Sequence, residues 1–220
     1  MKIDFKGAIF DLDGTILDSM GLWGEIDEAF LARRGIPMPA DYKQALQPMS
    51  YAQAADYTIA RFGLKEEPAA IMAEWDEMAR EAYAHTLVLK PYAGEYIRRL
   101  KGLGVPVALA TASARSLYEP ALRRHGLYDC FDALTDLSQV QGDKRGPGLF
   151  WLAAEKLGVE IADCMVFEDS LHAAQGAKAS GARLTVVQDA YAKPDEAALR
   201  GIADRYVAGF GELLGKGVEA

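Results

Sequence analysis

The strongest constraint on the fold is an alternation of short apolar runs with segments of helical periodicity. The helical segments cover residues 93–103, 116–125, 149–157 and 172–180, and Gly181 is placed to end the last of them. This alternation is typical of α/β domains and predicts a Rossmann-like parallel sheet flanked by helices. The six predicted strands are residues 7–10, 105–110, 133–135, 165–167, 184–187 and 206–207.

One long region interrupts this alternation. Between Asp18 and Thr86 no run resembles a strand, and helical patterns cover residues 51–62 and 68–84. We therefore predict an all-α domain at residues 18–87, inserted into a core of residues 1–17 and 88–220. The apolar stripe of its first helix consists of Leu22, Trp23, Ile26, Ala29 and Phe30.

Composition limits the partners and the compartment. The net charge of −8 over 220 residues argues against nucleic acid or an anionic membrane as a partner, although a locally positive pocket can still bind a small anion. No apolar run reaches the roughly 18 residues of a transmembrane helix, and the N-terminus does not resemble a signal peptide. Cys130 and Cys164 stand far apart, as expected for reduced, buried thiols. We expect a cytoplasmic monomer.

Polar residues close several of the predicted strands. Asp11 and Asp13 follow the first strand in FDLDGT, and Glu168 and Asp169 follow the fourth. The carboxyl ends of parallel strands meet at one sheet edge, so these four carboxylates are expected in one small volume. Their mutual repulsion and their oxygen-only chemistry favour a hard divalent cation, Mg²⁺.

The pair of aspartates suits phosphoryl chemistry as well as metal binding. One carboxylate can attack phosphorus and form an acyl phosphate, while the other moves a proton to and from the reacting oxygens. Gly14 allows the chain to turn sharply after them. Thr111, at the end of the second strand, offers a hydroxyl and nearby N–H groups to a phosphoryl oxygen. The region of Lys144 is also expected to close a strand, and Lys144 offers a positive charge.

These stretches together resemble the four motifs of the haloacid dehalogenase-like hydrolase superfamily. The best match is its β-phosphoglucomutase-like and phosphatase branch, in which a helical cap follows the first motif, and the resemblance spans nearly the whole chain. It implies that Asp11 is the nucleophile. It also implies that Asp13 is the general acid and base and gives its backbone carbonyl to Mg²⁺. The matching stretches are DLDGT, the apolar run ending in Thr111, KRGPGLF and FEDSLHAAQGAKASG.

The same resemblance assigns the remaining site residues. It implies that Thr111 and the Ala112 N–H bind phosphate and that Lys144 steadies the nucleophile and the phosphoryl group. Glu168 and Asp169 would complete the metal site. Three further candidates would contact the substrate. Ser113 would lie beside the phosphate, Trp23 would face the pocket from the cap, and the loop 49–51 after Pro48 would recognise the substrate.

Two motifs depart from the common pattern of relatives. The third motif often reads KPxPDxF, and here Arg145 and Gly148 replace a proline and an aspartate. Arg145 would add charge near the pocket mouth. In the fourth motif a glycine common in relatives is Ala173, preceded by His172, which is expected to be a surface or capping residue.

These observations predict a Mg²⁺-dependent phosphatase that hydrolyses a small phosphorylated metabolite through an aspartyl-phosphate. The alternative is a phosphomutase, but mutase relatives carry a cap histidine and a cap-loop arginine where this chain has Trp23 and residues 49–51. Dehalogenase relatives lack the second aspartate, which is present here as Asp13, and phosphonatase relatives use a cap lysine that nothing marks in this chain. A non-catalytic binding module would be expected to lack Asp11, Asp13 or Lys144.

Overall fold

A computed structural model describes residues 3–46 and 49–216. Six parallel strands form one sheet in the order β3-β2-β1-β4-β5-β6, so the first strand lies at the centre. The order of the strands reverses at β1, between β2 and β4, and this is where open α/β sheets form a crevice for ligands. The strands are β1 Gly7–Phe10, β2 Val107–Thr111, β3 Ala133–Asp136, β4 Cys164–Glu168, β5 Arg183–Val187 and β6 Arg205–Val207.

The helices fall into two groups along the chain. Among the described residues, four α-helices precede the helix that leads into β2, and six α-helices belong to the alternating part. In chain order they are α1 Leu22–Arg33, α2 Tyr42–Leu46, α3 Tyr51–Phe62, α4 Pro68–Glu81, α5 Ala93–Gly102, α6 Arg115–Arg124, α7 Gly148–Leu157, α8 Leu171–Ser180, α9 Glu196–Ile202 and α10 Phe210–Leu214. The predicted α/β class, a parallel sheet flanked by helices with an all-helical insertion, is confirmed.

The chain divides into two compact units. One contains the sheet and comprises the residues up to Met20 and those from Leu87 onward, and the other is the helical segment Gly21–Thr86. The helical unit starts later and ends one residue earlier than the boundaries predicted above, 18 and 87. The reason is local pairing within the sheet unit, because Leu17 forms an antiparallel bridge with Leu89 and the Asp18 N–H donates to the Val88 carbonyl.

The two faces of the sheet have different cores, as the two-residue period of the strands requires. One face packs aliphatic and small side chains, including Ile9 and Val166, against α7 and α8. On the other face the rings of Phe10 and Phe167 stack with centroids 4.4 Å apart. Tyr96 of α5 and Phe210 of α10 complete this aromatic cluster. Packing on both faces fixes the central strands, whose carboxyl ends carry the candidate site.

Several elements differ from their predicted bounds. The second strand runs over Val107–Thr111 and the fourth over Cys164–Glu168, so Thr111 and Glu168 are the last strand residues. The predicted helix 68–84 is divided, because α4 ends at Glu81 and a π-helical turn, Ala82–Thr86, follows.

Two further expectations concern the cysteines and the membrane. Both cysteines are free thiols, but only Cys164 is buried, whereas Cys130 is partly exposed, contrary to the prediction that both are buried. Cys130 ends a short 3₁₀ turn and is the residue before Phe131, outside the sheet core. Within the described ranges, each helix is too short or too polar to cross a bilayer.

Candidate active site

The first aspartate is placed by the ladder of the central strand. Asp11 directly follows β1, and its N–H donates to the Phe167 carbonyl at 3.0 Å, so the parallel pairing with β4 extends to it. Gly14 then turns the chain with a positive φ of 79°, and a Cβ there would lie 2.3 Å from Oδ2 of Asp169. Only glycine satisfies both the conformation and the close approach, which explains the Asp-Gly pair in this turn.

Three carboxylates meet at this end of the sheet. Asp11, Glu168 and Asp169 are only 6%, 1% and 2% exposed, and each offers an oxygen within 4.8 Å of the others. Lys144 is buried beside them, and its Nζ donates to Oδ1 of Asp11 at 2.5 Å and to Oε1 of Glu168 at 2.7 Å. One lysine therefore faces three acidic groups, an arrangement with an excess of buried negative charge.

The ionisation of these groups reflects that excess. Burial, together with repulsion from Glu168 and only partly offset by Lys144, raises the pKa of Asp11 to about 7. Burial and the charges of Glu168 and Asp11 raise the pKa of Asp169 well above its usual range. Burial opposes the charge of Lys144, but the carboxylates of Asp11 and Glu168 outweigh it and raise the pKa of that ammonium. An additional cation would favour the ionised form of both aspartates.

The oxygens available to such a cation are all carboxylate oxygens, the donor type of hard divalent ions. Oε2 of Glu168 accepts from the N–H groups of Asp169 and Ser170, at 2.7 Å each, so this side chain also shapes the turn into α8. Oδ1 of Asp169 accepts from the hydroxyl of Thr15 at 3.0 Å. The buried cluster thus fits a divalent metal, with Asp11 and Asp169 the least committed to protein donors.

Asp13 has a different environment from the other three carboxylates. Its Oδ1 accepts from the Ser19 hydroxyl at 2.7 Å, and its Oδ2 accepts from the Ser113 hydroxyl at 2.6 Å. It borders the same cavity as the other three, in agreement with the expectation that the four carboxylates lie in one small volume, but its carboxylate is not part of the three-carboxylate cluster. The reason is that β1 ends at Phe10, so the two-residue strand period does not extend to Asp13, which lies in the turn and bridges Leu17.

The end of β2 and the two residues that follow it reach the site from the other side of β1. Thr111 is fully buried, and its Oγ1 accepts from the Ser113 N–H at 3.0 Å. Ala112 borders the cavity directly. Sequence reasoning placed Ser113 beside the substrate, and the structure adds that its hydroxyl holds Asp13.

Lys144 reaches the site from a loop rather than from a strand end. The preceding strand, β3, ends at Asp136, and Lys144 lies between it and α7. The expectation that the Lys144 region closes a strand is therefore wrong, because a 3₁₀ turn at Leu137–Gln139 and a loop intervene. The side chain nevertheless joins the carboxylates as predicted from its charge.

These residues surround a cavity of about 310 Å³ within the sheet unit. Asp143, Arg145 and His172 line it together with the charged centre, and all three are exposed at its rim. Arg145 pairs loosely with Asp143, at 3.9 Å, so the altered third motif does bring charge to the cavity. Trp23 belongs to the helical unit, where it is 48% exposed and contacts Tyr51 edge to face, and its predicted substrate role stays a prediction.

Sequence reasoning missed three contributors to this geometry. Ser19 orients Asp13, Thr15 binds Asp169, and Gly176 of α8 lies against the loop of Lys144. Thr15 follows the Asp-Gly turn directly, and this position was its only signal. Ser19 does not stand out in a single sequence because it lies beyond the DLDGT motif. Gly176 does not stand out because its contact with the Lys144 loop is distant along the chain.

The comparison with protein families identifies the relatives of this arrangement. A family model described as haloacid dehalogenase-like hydrolase matches residues 5–181, which include all of the residues in the charged centre. The chain belongs to the haloacid dehalogenase-like hydrolase family. The resemblance inferred from the four motifs is thereby confirmed, and the protein is a hydrolase.

Two curated relatives of this haloacid dehalogenase-like hydrolase are phosphatases. It is 30% identical over 208 residues to hexitol phosphatase B of Escherichia coli O157:H7, with 86% of each chain covered. It is 29% identical over 181 residues to the bifunctional riboflavin kinase/FMN phosphatase of Arabidopsis thaliana. That alignment covers 82% of this chain and 48% of the relative, so the chain spans about half of the bifunctional protein.

A solved structure agrees with this family assignment. CbbY from Rhodobacter sphaeroides, in complex with phosphate, has a TM-score of 0.74 and 25% identity to this chain. The match covers 95% of this chain and 96% of CbbY. The haloacid dehalogenase-like fold therefore extends over nearly the whole chain.

Proposed function

We propose that this protein is a Mg²⁺-dependent phosphatase that hydrolyses a small phosphorylated metabolite through an aspartyl-phosphate. The observation that carries this proposal is the buried centre, in which Lys144 holds Asp11 beside Asp169 while two serines hold Asp13 at the same cavity. A nucleophile, a metal-binding carboxylate, a cation and a separate proton carrier are thus present together. The phosphatase relatives support the same reaction class.

Two steps follow from these roles. In the first, a carboxylate oxygen of Asp11 bonds to phosphorus as the bond from phosphorus to the leaving oxygen breaks, and Asp13 gives that oxygen a proton. In the second, water attacks phosphorus, Asp13 takes its proton, and the bond between Asp11 and phosphorus breaks to release inorganic phosphate. The two serine hydroxyls keep the Asp13 carboxyl directed at the cavity throughout.

Asp11 and Asp169 would bind the metal. The motif resemblance adds Glu168 and the backbone carbonyl of Asp13 as further ligands. When bound, Mg²⁺ supplies positive charge that offsets the repulsion between the carboxylates and the phosphoryl oxygens. Lys144 already supplies part of that charge from the protein, and its two hydrogen bonds keep Asp11 directed at phosphorus.

The phosphoryl oxygens are proposed to contact the Ala112 N–H, the Thr111 hydroxyl and the Lys144 ammonium. Ser113 contributes through Asp13. The sheet unit is then the catalytic core, and the helical unit Gly21–Thr86 is the cap that sets selectivity, with Trp23 as a substrate contact. The predicted absence of nucleic-acid and membrane partners, the monomeric state and the cytoplasmic location remain predictions.

Two of the named relatives support a narrower substrate class for this proposal. Hexitol phosphatase B and the FMN phosphatase point to monoesters of a primary alcohol on a polyol chain, and we propose that class for this chain. The mutase alternative receives no specific support from the described residues. The positions at which mutase relatives carry a cap histidine and a cap-loop arginine are Trp23 and residues 49–51 in this chain, and neither side chain is present there.

The test is phosphate release from a panel of phosphomonoesters that includes hexitol phosphates and FMN, with Mg²⁺ and with EDTA. We expect release that requires Mg²⁺ and is lost in Asp11→Asn, while Asp129→Asn, at an exposed position outside the cavity lining, retains activity. Folded protein that releases no phosphate from any compound, or an Asp11→Asn variant with normal turnover, would refute the proposal. Phosphate transfer between sugar phosphates without net release would instead favour the mutase.

A further inference from the structure

Helix α8 approaches the loop of Lys144 at one residue without a side chain. A Cβ at Gly176 would lie 2.0 Å from the carbonyl oxygen of Lys144 and 2.9 Å from that of Gly146. Both are backbone atoms, and the shorter distance is far inside van der Waals contact. Any side chain at this position therefore forces the helix and the loop apart by more than an ångström.

The loop, rather than the helix, is expected to yield. The sheet face of α8 is buried through Ala173, Ala174 and Ala177, which belong to the core cluster of the sheet unit. Its end is also held, because the indole of Trp151 donates to the Ser180 carbonyl at 3.0 Å. The loop backbone around Lys144 is less buried than α8, since Arg145 is exposed and Gly146 is only partly buried.

A displaced loop would carry Lys144 away from its partners. Its Nζ lies 2.5 Å from Asp11 and 2.7 Å from Glu168, so a shift of an ångström breaks or lengthens both bonds. Errors of this size in a positioned catalytic group cost on the order of 10²-fold in rate.

We infer that Gly176 is a positioning residue for Lys144. Because Gly176 has no side chain, helix α8 can approach the Lys144 loop closely, and this approach sets the distance from the loop to the nucleophile Asp11. The inference rests on the proposed function, in which Lys144 steadies Asp11 and the phosphoryl group. Ala173, at the position of a glycine common in relatives, packs in the sheet core and also borders the cavity.

The first part of the test compares two glycine-to-alanine substitutions in helices. Gly176→Ala is expected to lower kcat about 10²-fold, with a small change in KM. Gly201→Ala is the matched control, because Gly201 lies in α9 with no atom within 4 Å of its Cβ position. It should keep kcat within about twofold. Ala177→Gly loosens the buried face of α8, and it should lower Tm without lowering kcat at temperatures where the protein is folded.

The second part asks whether Gly176 acts through Lys144. Affinity for orthovanadate in the presence of Mg²⁺ is measured by calorimetry for Gly176→Ala, Lys144→Gln and the double variant, so that residual turnover is not needed. We expect Gly176→Ala to weaken vanadate binding about tenfold when Lys144 is present and to have almost no effect when it is Gln.

The outcomes separate the inference from the proposed function. Normal kcat in Gly176→Ala, a loss of kcat that Ala177→Gly reproduces, or additive effects of Gly176→Ala and Lys144→Gln would overturn the inference alone. A Lys144→Gln variant with normal kcat and normal vanadate affinity would instead show that Lys144 does not contribute to the reaction. That result would overturn the proposed roles at the charged centre as well as the inference.

Discussion

At the residue scale, the two aspartates of the first motif differ in their neighbours. Asp11 is buried with a cation and two other carboxylates, whereas Asp13 is held by two neutral hydroxyls. A spacing of two residues identifies both as candidates, but it does not distinguish their environments. The difference arises because the strand ends before Asp11 and the turn carries Asp13 toward Ser19 and Ser113, a contact that sequence periodicity does not encode.

The two serines give a prediction for the proton carrier. Replacing Ser19 or Ser113 by alanine removes one hydroxyl that fixes the Asp13 carboxylate, and we expect each to lower kcat several-fold. The double variant should lose on the order of 10²-fold, the usual contribution of a general acid. Steady-state kinetics with a Mg²⁺ titration provides the measurement, and the Mg²⁺ requirement should not change. Ser138→Ala, outside this network, is the control, and wild-type kcat in the double variant would contradict the assignment.

At the element scale, strands and helices follow closely from apolar periodicity, and local chemistry explains the details. Residues 49–51 were expected to form a loop that reads the substrate, but Tyr51 begins α3 and Ser50 is its N-cap. The Ser50 side chain accepts from the Gln53 N–H, and the Gln53 side chain accepts from the Ser50 N–H, so both form a capping box. The Ser-x-x-Gln pattern was visible in the sequence, whereas the order of the strands depends on long-range pairing and was not.

The capping box predicts a stability change in the helical unit. Ser50→Ala removes the acceptor for the N–H of the first turn, and we expect a loss of about 1 kcal/mol in the free energy of unfolding. Ser50→Asp, which retains an acceptor, should restore most of it. Denaturant unfolding of the three proteins checks this. If Ser50→Ala is as stable as the wild type, the cap does not contribute in solution.

Helix α1 carries a carboxyl group whose burial predicts a pH dependence. Desolvation, partly offset by Lys43, raises the pKa of Asp27 to about 6. Because the folded state then binds the proton more tightly than the unfolded chain, this group lowers stability as pH rises from about 4 to about 6, and the penalty is complete above that range.

Asp27→Asn should therefore raise the free energy of unfolding at pH 7.5, by about 1–2 kcal/mol after allowance for partial solvent exposure. The gain should shrink as the pH falls toward 4 and vanish near pH 3, where the wild-type carboxyl group is mostly protonated in both states. Asp56→Asn, at an exposed position of α3, is the matched control. Thermal unfolding across this pH range measures the effect. An equal gain at both pH values would show that charge is not its cause.

At the scale of the whole molecule, the site exists because a parallel sheet brings distant segments to one edge. Asp11 directly follows β1 and Glu168 ends the neighbouring strand β4, so their approach follows from the fold class and could be predicted. Lys144 comes from a loop, and its position depends on the packing of α8 through Gly176, which a single sequence does not reveal. Candidates for the catalytic groups could thus be proposed from the sequence, whereas the contacts that position them required the structure.

The most direct test of the central claim is to identify the phosphorylated residue. Enzyme in turnover with a substrate from the panel would be quenched in acid and treated with borohydride, which reduces an acyl phosphate of aspartate to homoserine, and its peptides analysed by mass spectrometry. We predict homoserine at residue 11, in a Mg²⁺-dependent yield, with Asp13 and Asp169 unmodified. An enzyme that releases phosphate while Asp11 is never reduced, or reduction at Asp13 instead, would contradict the account.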